Sequence, residues 1–344
     1  MPLEFRRDNG RLVWIRNPFT NTVTYFTDVH RKRSGFRRHL TDRAAPDPVA
    51  THDPPVPDPR ELEAVQRECP FCPGNEHMTP AEILRVLPTE VEGSTHTRSP
   101  WLIRVFHNLI PRIPECCTGG RNESYVVVED PRHFHDAARH HEDLLHTGLL
   151  PAAQVAAILR TNVEVARLGY SNPAVKAVLI RKNQGRESGA SQPHVHSQVI
   201  GSDRPFQPIQ QEQERLAGET GLWREILSFV DGEGFVIGRR GGCVLYFCPF
   251  GAFPRSYEIV CHDVSARITE VGKPLLEDFA FLLHQALRIL EPLPLDYEIH
   301  DGPGVPLHAH VSARQFPYSN IGGTLNLPSS LLRGVVPEPP PAGR

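Results

Sequence analysis

Ser188 to Gly201, SGASQPHVHSQVIG, is the stretch from which the rest of the chain is read. His194, His196 and Gln198 fall at every second position. In an extended strand alternate side chains share a face, so these three line one side and Val195 lies on the other. Ser188, Gly189, Ala190 and Ser191 form a small-residue loop ahead of the strand, which lets backbone N–H groups approach an anion. Imidazoles beside such a cradle point to phosphate chemistry, with Gly185, Ser188 and Ser191 as its phosphate-binding candidates.

The strand belongs to a chain of 344 residues, 39% hydrophobic and 22% charged, enough for two domains or one large one with a buried core. A net charge of -3 gives no global reason to expect nucleic acid or a membrane as partner. No apolar run follows MPLEFRRDNGR and no segment has transmembrane length, so the expectation is a soluble, cytoplasmic protein. Seven cysteines, an odd number in a long chain, argue against a disulfide scaffold and for a reducing compartment. Cys243, Cys248 and Cys261 read as core or strand residues.

Outward from the histidines, short runs fall into a repeated order. Trp101–Phe106 and Ser124–Glu129 read as strands, 149–168 has helical periodicity, and Ala177–Arg181 is a third strand before the histidine strand. The order recurs: Val244–Pro249, Arg255–Val260, a helix over Leu275–Leu290, Asp296–His300, then Pro306-Leu-His308-Ala-His310-Val-Ser312. Arg255–Val260 parallels Glu123–Val128, and His310 parallels His196, with Ser312 where Gln198 stood. Two similar units predict a duplicated α+β architecture. Its expected divisions are 1–205, 206–335 and a disordered tail over 336–344. The Pro/Asp-rich stretch 41–60 reads as an exposed connection.

Three motifs carry chemistry. Cys69-Pro-Phe-Cys72, flanked by Pro and Gly, is a good zinc half-site, with a redox pair or plain structural cysteines as rivals. A closed zinc site needs two more ligands. His194 and His133 are candidates, with His135, His140 and His141 as rivals that spacing alone does not separate. If one histidine of the pair binds metal, His196 stays free as a neutral, oriented nucleophile, and Gln198 stands on its face as an uncharged partner for a phosphoryl oxygen. The basic cluster from Arg31 to Arg38 reads by itself as solvated surface.

Together, Cys69-x-x-Cys72-x-Gly-Asn75, Arg104-Val105-Phe106-x-Asn108, Pro131-x-His133, Asn183-x-Gly185 and His194-x-His196-x-Gln198 resemble the galactose-1-phosphate uridylyltransferase family of the histidine-triad superfamily. The resemblance runs from about residue 5 to about residue 333. It implies two tandem histidine-triad-like domains, each an antiparallel half-barrel with packed helices. It also implies a ping-pong reaction through a nucleotidyl-histidine, moving a nucleotide between a nucleotide sugar and a sugar phosphate or phosphate. His196 matches the nucleophile, Gln198 its phosphoryl partner, and Cys69, Cys72, His133 and His194 the structural zinc ligands. Asn108 matches a nucleotide contact, Asn183 a residue orienting the histidine, and Arg31 or Arg33 an arginine near the phosphates. Glu212, His300, His308 and His310 match a second metal site, and a homodimer is implied.

The chain departs from uridylyltransferases proper at Leu109, where they usually have Asp, and at Asn320–Asn326, which lacks their Gly-Phe-Glu. The run KNQG-x-x-SGAS-x-x-H-x-H-S-Q is more similar to ADP-glucose phosphorylase-type members, which handle adenylyl groups. These departures point away from galactose as acceptor. A hydrolase using water and a non-catalytic nucleotide sensor are the competing classes.

Overall fold

The computed structural model describes residues 3–25 and 59–314, except 95, 97, 220, 252, 254 and 292, and the short strands 326–327 and 330–331. Arg31, Arg33, most of 41–60, the segment Asn320–Leu325 and the tail 336–344 lie outside the described residues.

Alternation builds the strands. A small sheet is formed by β1 (Phe5–Asp8), β2 (Arg11–Arg16) and β3 (Val23–Tyr25), with β14 (Asn326–Leu327) and β15 (Ser330–Leu331) completing it. Helix α1 (Pro59–Glu68) follows and delivers the chain to Cys69. The main sheet then takes β4 (Glu82–Val86), β5 (Ile103–His107), β6 (Ser124–Val128), β7 (Ala177–Gln184) and β8 (His196–Ser202) from the first repeat. From the second repeat it takes β9 (Val236–Arg240), β10 (Cys243–Phe247), β11 (Ser256–Cys261), β12 (Leu295–His300) and β13 (Leu307–Ala313). Helices α2 (Ala152–Tyr170), α3 (Gln207–Gly218), α4 (Leu222–Gly232) and α5 (Lys273–Leu290) complete the described helices.

The strand order is β4-β5-β6-β8-β7-β12-β13-β11-β10-β9. The second half mirrors the first, with β12 standing for β7, β13 for β8 and α5 for α2. The duplication read from the sequence is therefore built as one ten-stranded antiparallel sheet, joined where β7 pairs with β12. Val127, Val195, Val199 and Ile180 belong to the core layer that also holds Val155, Ile158 and Leu159 of α2 and Phe279, Leu283 and Leu287 of α5. Burial of these side chains is worth roughly 1.5–3 kcal/mol each and fixes which face of β8 points inward. The histidines are left to the opposite face, where Phe71, Phe106, Val126 and Val128 gather around Cys69 and Cys72.

Two expectations need correction. Val128 pairs with His196 across β6 and β8, and Glu258 pairs with His310 across β11 and β13. Glu258 is thus the counterpart of Val128, two residues from the parallel that the sequence suggests. A slip of two preserves the strand alternation, so hydropathy does not reveal it. Second, Cys243 and Cys261 are fully buried core residues, but they are bonded to each other. The β10–β11 register pairs Val244 with Val260 and so sets the two cysteines opposite one another. Among the described residues no helix is long and apolar enough to cross a membrane.

Candidate active site and metal centres

Ser188 to Ser191 turns sharply before β8. Gly185 and Gly189 both have φ of +83°, a region that L side chains rarely adopt. Ser188 is buried and donates from Oγ to the Gly185 carbonyl at 2.9 Å. The Asn183 amide donates to the Ser188 carbonyl, and Arg181 Nη2 donates to Asn183 Oδ1 at 2.6 Å. Asn183, expected to orient the histidine, is bonded here to the loop that leads into β8. Ser191 is exposed.

The orientation of His196 comes from its own strand. His196 Nδ1 lies 2.8 Å from the His194 carbonyl and donates to it, which leaves Nε2 as the ring's lone-pair nitrogen. Burial, then the Lys182 ammonium, pushes the His196 pKa down to about 4, so the ring is neutral near pH 7. The Phe71 ring stands edge-on to it at 5.4 Å, and Phe106 meets Phe71 in a second edge contact. Beneath the site, buried Lys182 donates to the His196 carbonyl at 2.8 Å and to Glu129 at 2.9 Å. Gln198 lies between Val126 on β6 and Arg181 on β7. Asn108 directly follows β5, its Oδ1 accepting from the Ile110 N–H at 3.2 Å.

His194 has the other job. Its Nε2 donates to the Asp130 carbonyl at 2.8 Å, so Nδ1 faces Cys69 and Cys72 at 3.6 and 3.5 Å. His133 Nδ1 lies 3.6 Å from Cys72 Sγ. The four ligand atoms lie within 4.8 Å of one another, and all four residues are buried. Zinc bonds of about 2.0–2.3 Å give a tetrahedron with edges of roughly 3.3–3.8 Å, which these separations match. The hydrogen bond with Cys72 holds the Cys69 thiol well below its usual range against the effect of burial, while the same contact pushes Cys72 up. The donor set fits a structural zinc ion. The rivals His135, His140 and His141 are not part of this group: His141 pairs with Glu61, and His135 Nδ1 accepts from Ala137 N–H.

Glu212, His300, His308 and His310 also come together, within the same 4.8 Å limit. His300 Nδ1 lies 3.0 Å from both Glu212 oxygens, and His308 and His310 approach them through Nε2 at 3.5 Å. His308 Nδ1 donates to the Pro306 carbonyl at 2.7 Å, and His310 Nδ1 meets Glu258 at 3.0 Å. Each of these outer bonds turns Nε2 inward, the arrangement that supports a metal-binding imidazole. Three imidazoles and a carboxylate fit a transition metal. Burial raises the Glu212 carboxyl, but the His308 charge and three histidine hydrogen bonds hold it well below the carboxylate range. Burial opposes the charge on His310, yet Glu212 and Glu258 push its pKa up to about 10. Glu214, one turn fraction away, is exposed and accepts from Gln210.

Sequence reasoning missed Phe71, Lys182, Glu129, Arg181 and Glu258. Phe71 had a signal, since it sits inside the cysteine knuckle. The others are charged residues in strands or, for Glu129, just past one, and their roles depend on cross-strand register.

Residues 107–286, just over half of the chain, match a family described as a domain of unknown function, DUF4921. The chain belongs to the DUF4921 family. This DUF4921 chain is 25% identical over 328 residues to an ADP-glucose phosphorylase of Arabidopsis thaliana, covering 89% of itself and 81% of that protein. The crystal structure of an ADP-glucose phosphorylase from Arabidopsis thaliana with bound ADP-glucose superposes with a TM-score of 0.62 at 19% identity, over 98% of this chain and 96% of that one. A uridylyltransferase structure gives a TM-score of 0.52 at 20% identity, over 71% of this chain and 78% of that one. At these identities the two structures show the shared fold alone.

Proposed function

We propose that this chain is a nucleotidyltransferase that moves a nucleoside monophosphate between a nucleotide sugar and phosphate or a sugar phosphate, through a covalent nucleotidyl-histidine on His196. One observation carries the reading: His196 is buried, neutral and fixed through Nδ1 to the His194 carbonyl, with Nε2 free on the face that also carries Gln198. In the first half-reaction Nε2 attacks the α-phosphorus. The P–N bond forms as the P–O bond to the sugar phosphate breaks. In the second, an oxygen of the acceptor phosphate attacks and the P–N bond breaks. Gln198 holds a phosphoryl oxygen without repelling it. Backbone N–H groups of the Ser188–Ser191 loop stabilise the developing charge. Asn108, Asn183, Gly185, Ser188 and Ser191 serve the nucleotide and its phosphates, and Arg31 and Arg33 are assigned to the same phosphates from sequence.

Cys69, Cys72, His133 and His194 would hold zinc, which would fix the base of the nucleophile strand. Glu212, His300, His308 and His310 would hold a second metal in the other repeat, whose Ser312 replaces Gln198 and so suits a supporting role. The division into units 1–205 and 206–335 and assembly as a homodimer belong to the same reading. The similarity to ADP-glucose phosphorylase favours an adenylyl group as cargo and phosphate as acceptor. The test is intact-mass spectrometry after incubation with ADP-, UDP- and GDP-sugars. Wild type should gain the mass of one nucleotidyl group, and His196→Ala should gain none. A label that persists in the variant would sink the assignment.

A further inference from the structure

Glu258 is a carboxylate at a position where the first repeat has none. It stands opposite His310 across β11 and β13, as Val128 stands opposite His196 across β6 and β8. Val128 packs among Phe71, Phe106 and Val126, whereas Glu258 is buried and hydrogen-bonded to three side chains. His310 Nδ1 donates to its Oε1 at 3.0 Å, Cys248 Sγ donates to the same oxygen at 3.2 Å, and the Tyr246 hydroxyl donates to Oε2. Tyr246 faces Glu258 from β10, the strand on the other side of β11. The carboxylate is therefore gripped from both neighbouring strands, and register sets its reach toward His310.

The three imidazoles of the second cluster are not backed alike. His308 donates from Nδ1 to the Pro306 carbonyl at 2.7 Å. His300 Nε2 is buried without a hydrogen-bond partner among the described residues, and the Glu298 carboxylate stands 3.7 Å from it. Among the described residues only His310 has a carboxylate bonded behind its ring. An imidazole held in this way is fixed in orientation and is a more basic ligand at its other nitrogen. Burying a carboxylate is costly unless a cation lies beside it. Among the described residues no lysine or arginine pairs with Glu258, and its ionic partner is His310. The charge that compensates it must therefore come from the cluster itself.

We propose that Glu258 is a positioning residue for the second metal centre. Through His310 it fixes one ligand, and it supplies buried negative charge that favours a cation among Glu212, His300, His308 and His310. Tyr246 and Cys248 hold it in place. The inference rests on the reading of that cluster as a metal centre and is independent of nucleotidyl transfer by His196.

Cobalt(II) added to the full chain, after a chelator has stripped it of metal, tests the proposal. Thiolate-to-cobalt absorption reports the cysteine site alone, and equilibrium dialysis with metal analysis counts both sites. Wild type should take two equivalents, one at each cluster. Glu258→Gln keeps the size of the side chain and an acceptor for Tyr246. It should weaken the second equivalent by about ten- to a hundredfold and leave the thiolate absorption unchanged. Glu258→Asp keeps the charge but draws it back by one methylene. It should weaken the second equivalent by roughly threefold or more, and it carries the test if Glu258→Gln does not fold. Thermal midpoints separate this role from a merely structural one, because the rise in midpoint on adding cobalt should be smaller in the variant than in wild type. A lower metal-free midpoint with an undiminished rise would make Glu258 structural and overturn the proposal. Two equivalents bound as tightly by both variants as by wild type would also overturn it, while leaving the metal centre standing. A single equivalent in wild type would remove the centre and the proposal with it.

Discussion

At the scale of single residues, the two histidines of one strand are separated by their hydrogen bonds. The Asp130 carbonyl takes His194 Nε2 and turns Nδ1 to the cysteines; the His194 carbonyl takes His196 Nδ1 and frees Nε2. The H-x-H spacing made the shared face legible, because strand alternation is local. The support beneath it was not legible, because Lys182 lies in what reads as a continuous strand and its partner Glu129 is 53 positions away. Lys182 and Glu129 form a buried pair at 2.9 Å, and Thr147 adds a hydrogen bond to the same carboxylate. Removing one member leaves an uncompensated charge out of water. Lys182→Met should therefore cost about 3–5 kcal/mol in urea-unfolding free energy. The double variant Lys182→Met, Glu129→Leu should regain much of that, since no charge is then stranded. A single variant as stable as wild type would show that the pair does not hold the strand.

At the scale of elements, the loop from Gly185 to Ser191 depends on backbone that only glycine adopts freely, yet its two glycines of positive φ are not equivalent. A Cβ on Gly185 would come within 2.9 Å of the Pro294 Cβ, whereas on Gly189 the nearest atom is the Asn183 amide at 3.7 Å. Both substitutions strain φ, and only the first also collides with the chain that enters β12. Gly185→Ala should lower the thermal midpoint more than Gly189→Ala, each substitution costing at least roughly 1 kcal/mol of unfolding free energy through its strained backbone. Equal midpoints would mean that the Pro294 contact yields easily. Strands and long helices were read well from periodicity at this scale, including α2 and α5. Helices α1, α3 and α4 were not, and α1 emerges from a stretch rich in proline and carries few apolar residues. The Cys243–Cys261 bond escaped as well, since pairing depends on a hairpin register that composition does not encode.

At the scale of the whole molecule, the two repeats are joined twice, once by β7 against β12 and once by α2 against α5 on the other face. The mirrored strand order was foreshadowed by the repeated motifs, but the merging of both units into one sheet needed the pairing of β7 with β12. Next to the helical joint sit two histidines, His146 half-buried and His284 buried. His146 lies 3.8 Å from Glu291, just beyond α5, and His284 lies on α5 itself. Burial, then Lys182 and His135, pushes the His146 pKa down to about 4; burial and Arg288 lower that of His284 against hydrogen bonding from the Gly148 and Leu150 backbone. In the unfolded chain both rings titrate near 6.5. Their folded values are lower, so the unfolded state binds more protons as acid is added. The stability they support is full above about pH 6.5 and falls as the pH drops toward 4. For His146 the full loss is roughly 3 kcal/mol. Urea unfolding at intervals between pH 7.5 and 4.5 should show this decline, and His146→Gln should flatten it by removing one of the protons taken up. A variant that keeps the full wild-type slope would assign the acid sensitivity to other groups and leave the helical joint indifferent to pH.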